Sequence, residues 1–96
     1  MEDLSRRVED RSPFAIRVDL SSLDVRRPTQ EALTTNVSLH GARVVAKKPW
    51  KPNDRLDLRS RLGDFRARAR VIYCQALGTD SFAMGLQLIA ITGKWK

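Results

Sequence analysis

The sequence predicts an all-β fold, a six-stranded antiparallel barrel with a flexible N-terminal arm. Three observations predict it. Apolar and polar residues alternate at period two through a series of short stretches, the mark of half-buried strands. Turn-forming residues separate those stretches at even spacing, notably Pro52-Asn53, Gly63-Asp64 and Gly78 with Thr79-Asp80-Ser81. No run of about eleven residues or more carries a helical period. The stretches suit a barrel or a sandwich. A barrel is favoured because closure removes exposed edges from a sheet that has little else to cover it.

Residues 1–12 are polar and charged without a sustained apolar period, so they read as a flexible basic arm ended by Pro13. Phe14, Ile16, Val18 and Leu20 then alternate with Ala15, Arg17 and Asp19 as a first strand. Residues 21–31 are polar with one proline and read as a strand end and loop. Residues 32–38 and 42–47 form the second and third strands, joined by the Leu39-His40-Gly41 turn. Residues 48–54 form a loop, where Pro52 suits the second position of a β-turn and Asn53 tolerates a left-handed backbone.

The clearest hairpin follows. Leu56, Leu58 and Leu62 alternate with arginines and Asp57; after Gly63-Asp64, Phe65, Ala67, Ala69, Val71 and Tyr73 alternate with Arg66, Arg68 and Arg70. A two-residue turn at Gly63-Asp64 sets Leu62 opposite Phe65 inside. On the outside it sets Arg61 opposite Arg66, Arg59 opposite Arg68 and Asp57 opposite Arg70. A last strand over residues 82–89 points Phe82, Met84, Leu86 and Leu88 inward. The barrel is assigned to residues 13–92 and a short tail to 93–96.

A chain of 96 residues makes one domain. Apolar residues are 42% of it, enough for a small core that buries roughly 60–65% of the unfolded surface. The single cysteine, Cys74, excludes an internal disulfide, and the single histidine, His40, leaves no His-based metal pair. No apolar run reaches membrane-spanning length and the N-terminus lacks a signal-peptide core, so a cytoplasmic setting is expected. A net charge of +7 favours an anionic partner. Arginine outnumbers lysine thirteen to five. Its planar fork pairs with phosphates and guanine edges, although arginine-favouring codon usage accounts for such a bias equally well.

Two short patterns carry the functional reading. Arg7 and Arg11 stand four residues apart on the arm; after 24 intervening residues comes Asn36-Val37-Ser38-Leu39-His40-Gly41. Asn36 and Ser38, two apart on a strand, share one face while Val37 points inward. Gly41 leaves room for a flat ligand against the backbone. The pair resembles the Arg-x-x-x-Arg and Asp/Asn-x-Ser-x-x-Gly signature of PilZ domains. The likeness extends through Gly41-Ala-Arg-Val-Val, Pro52-Asn-Asp-Arg-Leu (with Asn53 where the family usually has glycine), Ala69-Arg-Val-Ile-Tyr and Gly85-Leu-Gln-Leu, over residues 6–92.

The resemblance implies a six-stranded barrel that binds the bacterial second messenger cyclic di-GMP and signals to a downstream protein, itself unknown. Arg7, Arg11, Asn36, Ser38 and Gly41 are the implied ligand contacts. Arg6, beside the motif, is either a solvated charge or a contact to a second ligand molecule in a stacked dimer. Arg43 is either a phosphate contact or an ordinary outward residue. The reading calls for no cofactor, metal or catalytic residue: His40, Cys74 and the serines lack the context of a nucleophile–base pair.

Some features stay open. The opposed arginines outside the central hairpin form a solvated face or a dock for an acidic partner. Trp50 caps the barrel or is an exposed contact, and Trp95 packs back or lies loose. Tyr73 reads as core. A basic nucleic-acid-binding barrel is the alternative from another class, disfavoured because only Trp50 looks free for base stacking. A ligand-blind PilZ adaptor is the other.

Overall fold

A computed structural model describes residues 15–94. They form six strands and, among the described residues, no helix: β1 (Arg17–Ser22), β2 (Gln30–Val37), β3 (Gly41–Ala46), β4 (Arg55–Ser60), β5 (Arg66–Gly78) and β6 (Ser81–Thr92). The sheet closes in the order β1-β2-β3-β6-β5-β4, with every pair antiparallel and β4 returning to β1.

The period-two alternation is what closes it. Val18, Leu20, Val44, Leu56, Leu58, Ala69, Val71 and Met84 are all fully buried, while the intervening arginines and aspartates face out. At roughly 25 cal/mol per Å² of apolar surface removed from water, that inner face is the main driving force for folding. Trp50 stops one end of the barrel. It is 3% exposed, and the Arg27 guanidinium lies over its ring at 4.1 Å. The cap reading is the one the structure adopts. The expected left-handed residue is also present, Asn53 having a φ of 75°.

The central hairpin departs from its expected register. Leu58 pairs with Ala67 and Arg59 with Arg66, so the register differs by two residues and the loop spans residues 61–64. Ser60 is the cause. It is only 6% exposed, its amide donates to Phe65 O at 3.0 Å, and its hydroxyl accepts from Leu62 N at 3.0 Å. The loop therefore closes on Ser60, and Leu62 is carried out to 58% exposure rather than facing Phe65. Arg61 leaves the hairpin to bond Asp19, and that carboxylate raises the guanidinium's pKa above its ordinary value.

The outer arginine pairs become Arg59–Arg66 and Arg55–Arg70. Their repulsion is relieved sideways: Arg66 reaches Asp57 at 3.4 Å and Arg55 reaches Asp24 at 2.8 Å. Arg59 and Arg68 have no ion-pair partner among the described residues.

β5 and β6 are longer than their periodicity indicates, reaching Gly78 and Thr92, because each carries bulges that break the alternation. β2 likewise begins at Gln30, inside the stretch expected to be loop, where it continues the ladder with β1 (Leu20 opposite Gln30). One bulge, between Val71 and Tyr73, changes a face. Val71 points into the core, Ile72 is the extra residue, and Tyr73 emerges outside at 41% exposure. Cys74 turns inward in its place and packs on the core. Tyr73 is thus a surface residue, contrary to the alternation that assigned it to the core.

Candidate functional site

The Asn36–Gly41 segment is the β2–β3 hairpin. Ser38 N donates to Gly41 O at 2.8 Å and the Ser38 hydroxyl donates to the same oxygen at 3.3 Å, closing a two-residue turn at Leu39-His40. Leu88 N donates to His40 O at 2.9 Å, which fastens the turn to β6. Val37 is 7% exposed and points inward, leaving Asn36 and Ser38 half-buried on the outer face as their spacing requires. The Asn36 side-chain amide makes no hydrogen bond among the described residues. Gly41 starts β3 under a close neighbour: a Cβ there would lie 3.2 Å from Leu86 O.

Cross-strand registers place further side chains beside these. Asn36 pairs with Arg43, Arg43 with Gly85, and Gly85 with Tyr73, making one row across β2, β3, β6 and β5. Next to it, Ser38 faces Gly41, Gly41 pairs with Gln87 and Gln87 with Arg70. Two rows thus share the outer surface, one ending in an aromatic ring and the other in a guanidinium.

Local bonds hold each member in place. A bulge between Thr34 and Asn36 frees Thr35, whose hydroxyl accepts from Arg43 Nη1 at 3.2 Å and donates to Arg43 O at 3.3 Å. Arg70 donates to Asn53 Oδ1 at 2.9 Å and to Gln87 Oε1 at 2.8 Å. Neither Arg43 nor Arg70 has a carboxylate partner among the described residues. Both charges stand, among the described residues, on a face of amides, a hydroxyl and backbone, a surface suited to an anion with hydrogen-bonding edges. Tyr73 covers Gly85, where a Cβ would fall 2.7 Å from Cδ2 of the ring.

Asn36, Ser38, Gly41 and Arg43 are brought together as one patch. Arg6, Arg7 and Arg11 lie outside the described residues. The path toward them is set by the first residues that are described: Ile16 N donates to Thr34 Oγ1 at 2.8 Å and Thr34 N donates to Ile16 O at 2.9 Å. The chain thus enters the barrel beside the Asn36 end of β2. Sequence reasoning missed Tyr73, Arg70 and Gln87. The available signal was Gly85, since a glycine inside a strand marks a close approach by another group.

Trp50, the aromatic that looked free for stacking, is buried under Arg27. The aromatic on which the nucleic-acid reading relied is thus not free to stack a base.

Comparisons with known proteins agree with this architecture. The PilZ domain family model matches residues 5–94. No curated protein matches the sequence. A solved structure of the Bacillus subtilis inhibitor of motility, MotI/DgrA, superposes with a TM-score of 0.73 at 20% identity, over 96% of this chain and 46% of that one. At that identity the likeness concerns the fold, and the chain spans less than half the length of its neighbour. A six-stranded closed barrel carrying Asn36, Ser38 and Gly41 on one hairpin, matched by the family model over nearly its full length, places this chain in the PilZ domain family.

Proposed function

We propose that this domain is a receptor for cyclic di-GMP, acting in the cytoplasm and signalling to a partner protein through the change that ligand makes to its arm and surface. The observation that carries the reading is the patch itself: Asn36, Ser38, Gly41 and Arg43 converge on one outer face, beside the point where the chain arrives from Arg7 and Arg11. Arg11 stands four positions before Ala15, an extended reach of at most about 14 Å. That is enough for Arg11 to work over the patch.

In this reading Arg7 and Arg11 supply forked donors to phosphates and guanine edges. Asn36 offers an amide without a hydrogen bond among the described residues to a guanine edge, Ser38 a hydroxyl, and Gly41 open backbone. Arg43 adds phosphate charge, and Arg6 contacts a second, stacked ligand molecule. Closing the arm over the ligand changes the surface a partner meets, and the free energy spent on that change lowers affinity while supplying the signal.

Titration calorimetry with cyclic di-GMP tests it. Binding heat at tens of micromolar ligand is expected; a folded barrel giving no heat would overturn the ligand and leave a protein-only adaptor. Arg59 and Arg68, without an ion-pair partner among the described residues, favour a second reading, an anionic polymer on the hairpin face. Mobility shifts with single- and double-stranded nucleic acid at physiological salt separate that from the first.

A further inference from the structure

A groove of about 780 Å³ lies on the outer face of β2 and β3, apart from the Asn36 patch: none of Asn36, Ser38, Gly41 or Arg43 lines it. Its floor is apolar: Leu33 pairs with Val45, and Leu33 is 42% exposed. Its walls are the start of β1, the loop before β2, the end of β3 and the tip of the β5–β6 hairpin. Arg17, Arg27, Lys47 and Lys48 stand there against two carboxylates, Glu31 and Asp80. Glu31 is already shared by Arg17 at 3.8 Å and Arg61 at 3.7 Å. Lys47 and Lys48 are exposed and have no ion-pair partner among the described residues.

We infer that this groove is a docking site for a partner protein, through a segment that alternates acidic and leucine-like residues. The charge balance selects an acidic occupant. The apolar floor selects a side chain rather than a bare phosphate chain, since exposed apolar surface ringed by polar groups marks protein contacts. Among the described residues no aromatic lines the groove to stack a base, which argues against nucleic acid. β2 and β3 are each paired on both sides, so docking runs through side chains and not through strand addition. The floor is a paired sheet and Arg27 is fixed on Trp50, so the site is largely formed before a partner arrives. Arg17, on its wall, lies two residues from Ala15, the first described residue. The inference does not depend on nucleotide binding, and its failure would leave that reading standing.

The test uses the full 96-residue chain without nucleotide. A fluorescein-labelled peptide of alternating glutamate and leucine is titrated by anisotropy, with amide shifts recorded by NMR. Saturable binding is expected, with shifts centred on Leu33 and Val45. K47E/K48E and Leu33→Ser should each weaken it by about tenfold, a difference resolved readily by titration. Equal binding of a glutamate–serine peptide, shifts centred on Arg59 and Arg68, or displacement by single-stranded DNA at equal charge would each overturn the proposal. Because the shift map is read on the unaltered chain, a variant that fails to fold does not shelter the idea.

Discussion

The Tyr73 ring covers Gly85, occupying the space where any other residue would place a Cβ. The pair joins the folding of the barrel to the composition of its outer face. Without the bulge at Ile72 the tyrosine would point into a core already filled by Met84 and Leu86. With it, the ring stands on the surface in the same row as Asn36 and Arg43.

The first prediction concerns that pair. Gly85→Ala forces the ring from its seat and should destabilise the domain by about 1–3 kcal/mol, the usual cost of overpacking. Tyr73→Ala in the same chain removes the obstacle and should recover most of the loss. Urea unfolding of the two single variants and the double variant measures the coupling. Additive effects would mean that the ring moves aside freely.

Ser60 governs the β4–β5 loop. Removing its hydroxyl by Ser60→Ala takes away the acceptor for Leu62 N and should cost about 1 kcal/mol. Amide exchange of Ser60, which is bonded to Phe65 O, should accelerate with it. An unchanged rate would show that Gly63 and Asp64 hold the loop alone.

These two places are also where the sequence was least legible. Leu56, Leu58, Ala67 and Ala69 obey a simple alternation, and their inward faces could be read directly. Asn53 after Pro52 announced its own positive φ. Leu62 continues the same alternation and yet leaves the core, because a buried serine closed the loop two residues early. Tyr73 fails for a different reason: one extra residue at a bulge inverts the parity of all that follows, and nothing local marks it. The Asn36 patch was legible because Asn36, Ser38 and Gly41 sit on one short hairpin. Arg43 was named as a candidate from its position, whereas Arg70 and Gln87 needed the registers between β3, β5 and β6.

Arg27 holds the cap. Its guanidinium shields Trp50 from water at the barrel's end, so Arg27→Ala should cost about 0.5–1 kcal/mol and shift the Trp50 emission to the red. A Trp95→Phe background isolates that signal. Emission that stays blue would show that Trp50 is buried by the barrel alone.

Asp24 sets a dependence on pH. Its carboxylate accepts from Arg55 N at 2.8 Å and from Arg55 Nε at 2.9 Å, and the backbone bond chiefly, with the side chain, lowers its pKa from the ordinary 3.8. The native state therefore releases this proton more readily than the unfolded chain. The stabilisation is complete above pH 3.8 and is lost as the pH falls through the lowered native value. In urea midpoints taken down that window, Asp24→Asn should flatten the decline seen in the parent. Parallel curves would assign the acid sensitivity to other carboxylates.

Arg11 distinguishes a clamp from a strut. If its work is to hold ligand, Arg11→Ala should weaken cyclic di-GMP binding by about 1.5–3 kcal/mol or more, the scale of hydrogen bonds to a charged group. The melting temperature of the ligand-free domain should hardly move. Conversely, Leu58→Ala opens the core and should cost about 2–5 kcal/mol of stability, while the affinity of the fraction that stays folded is retained. Calorimetry and thermal melts on the two variants therefore give opposite patterns. A large loss of ligand-free stability in Arg11→Ala would show that the arm braces the barrel, and the hinged-clamp reading would fall with it.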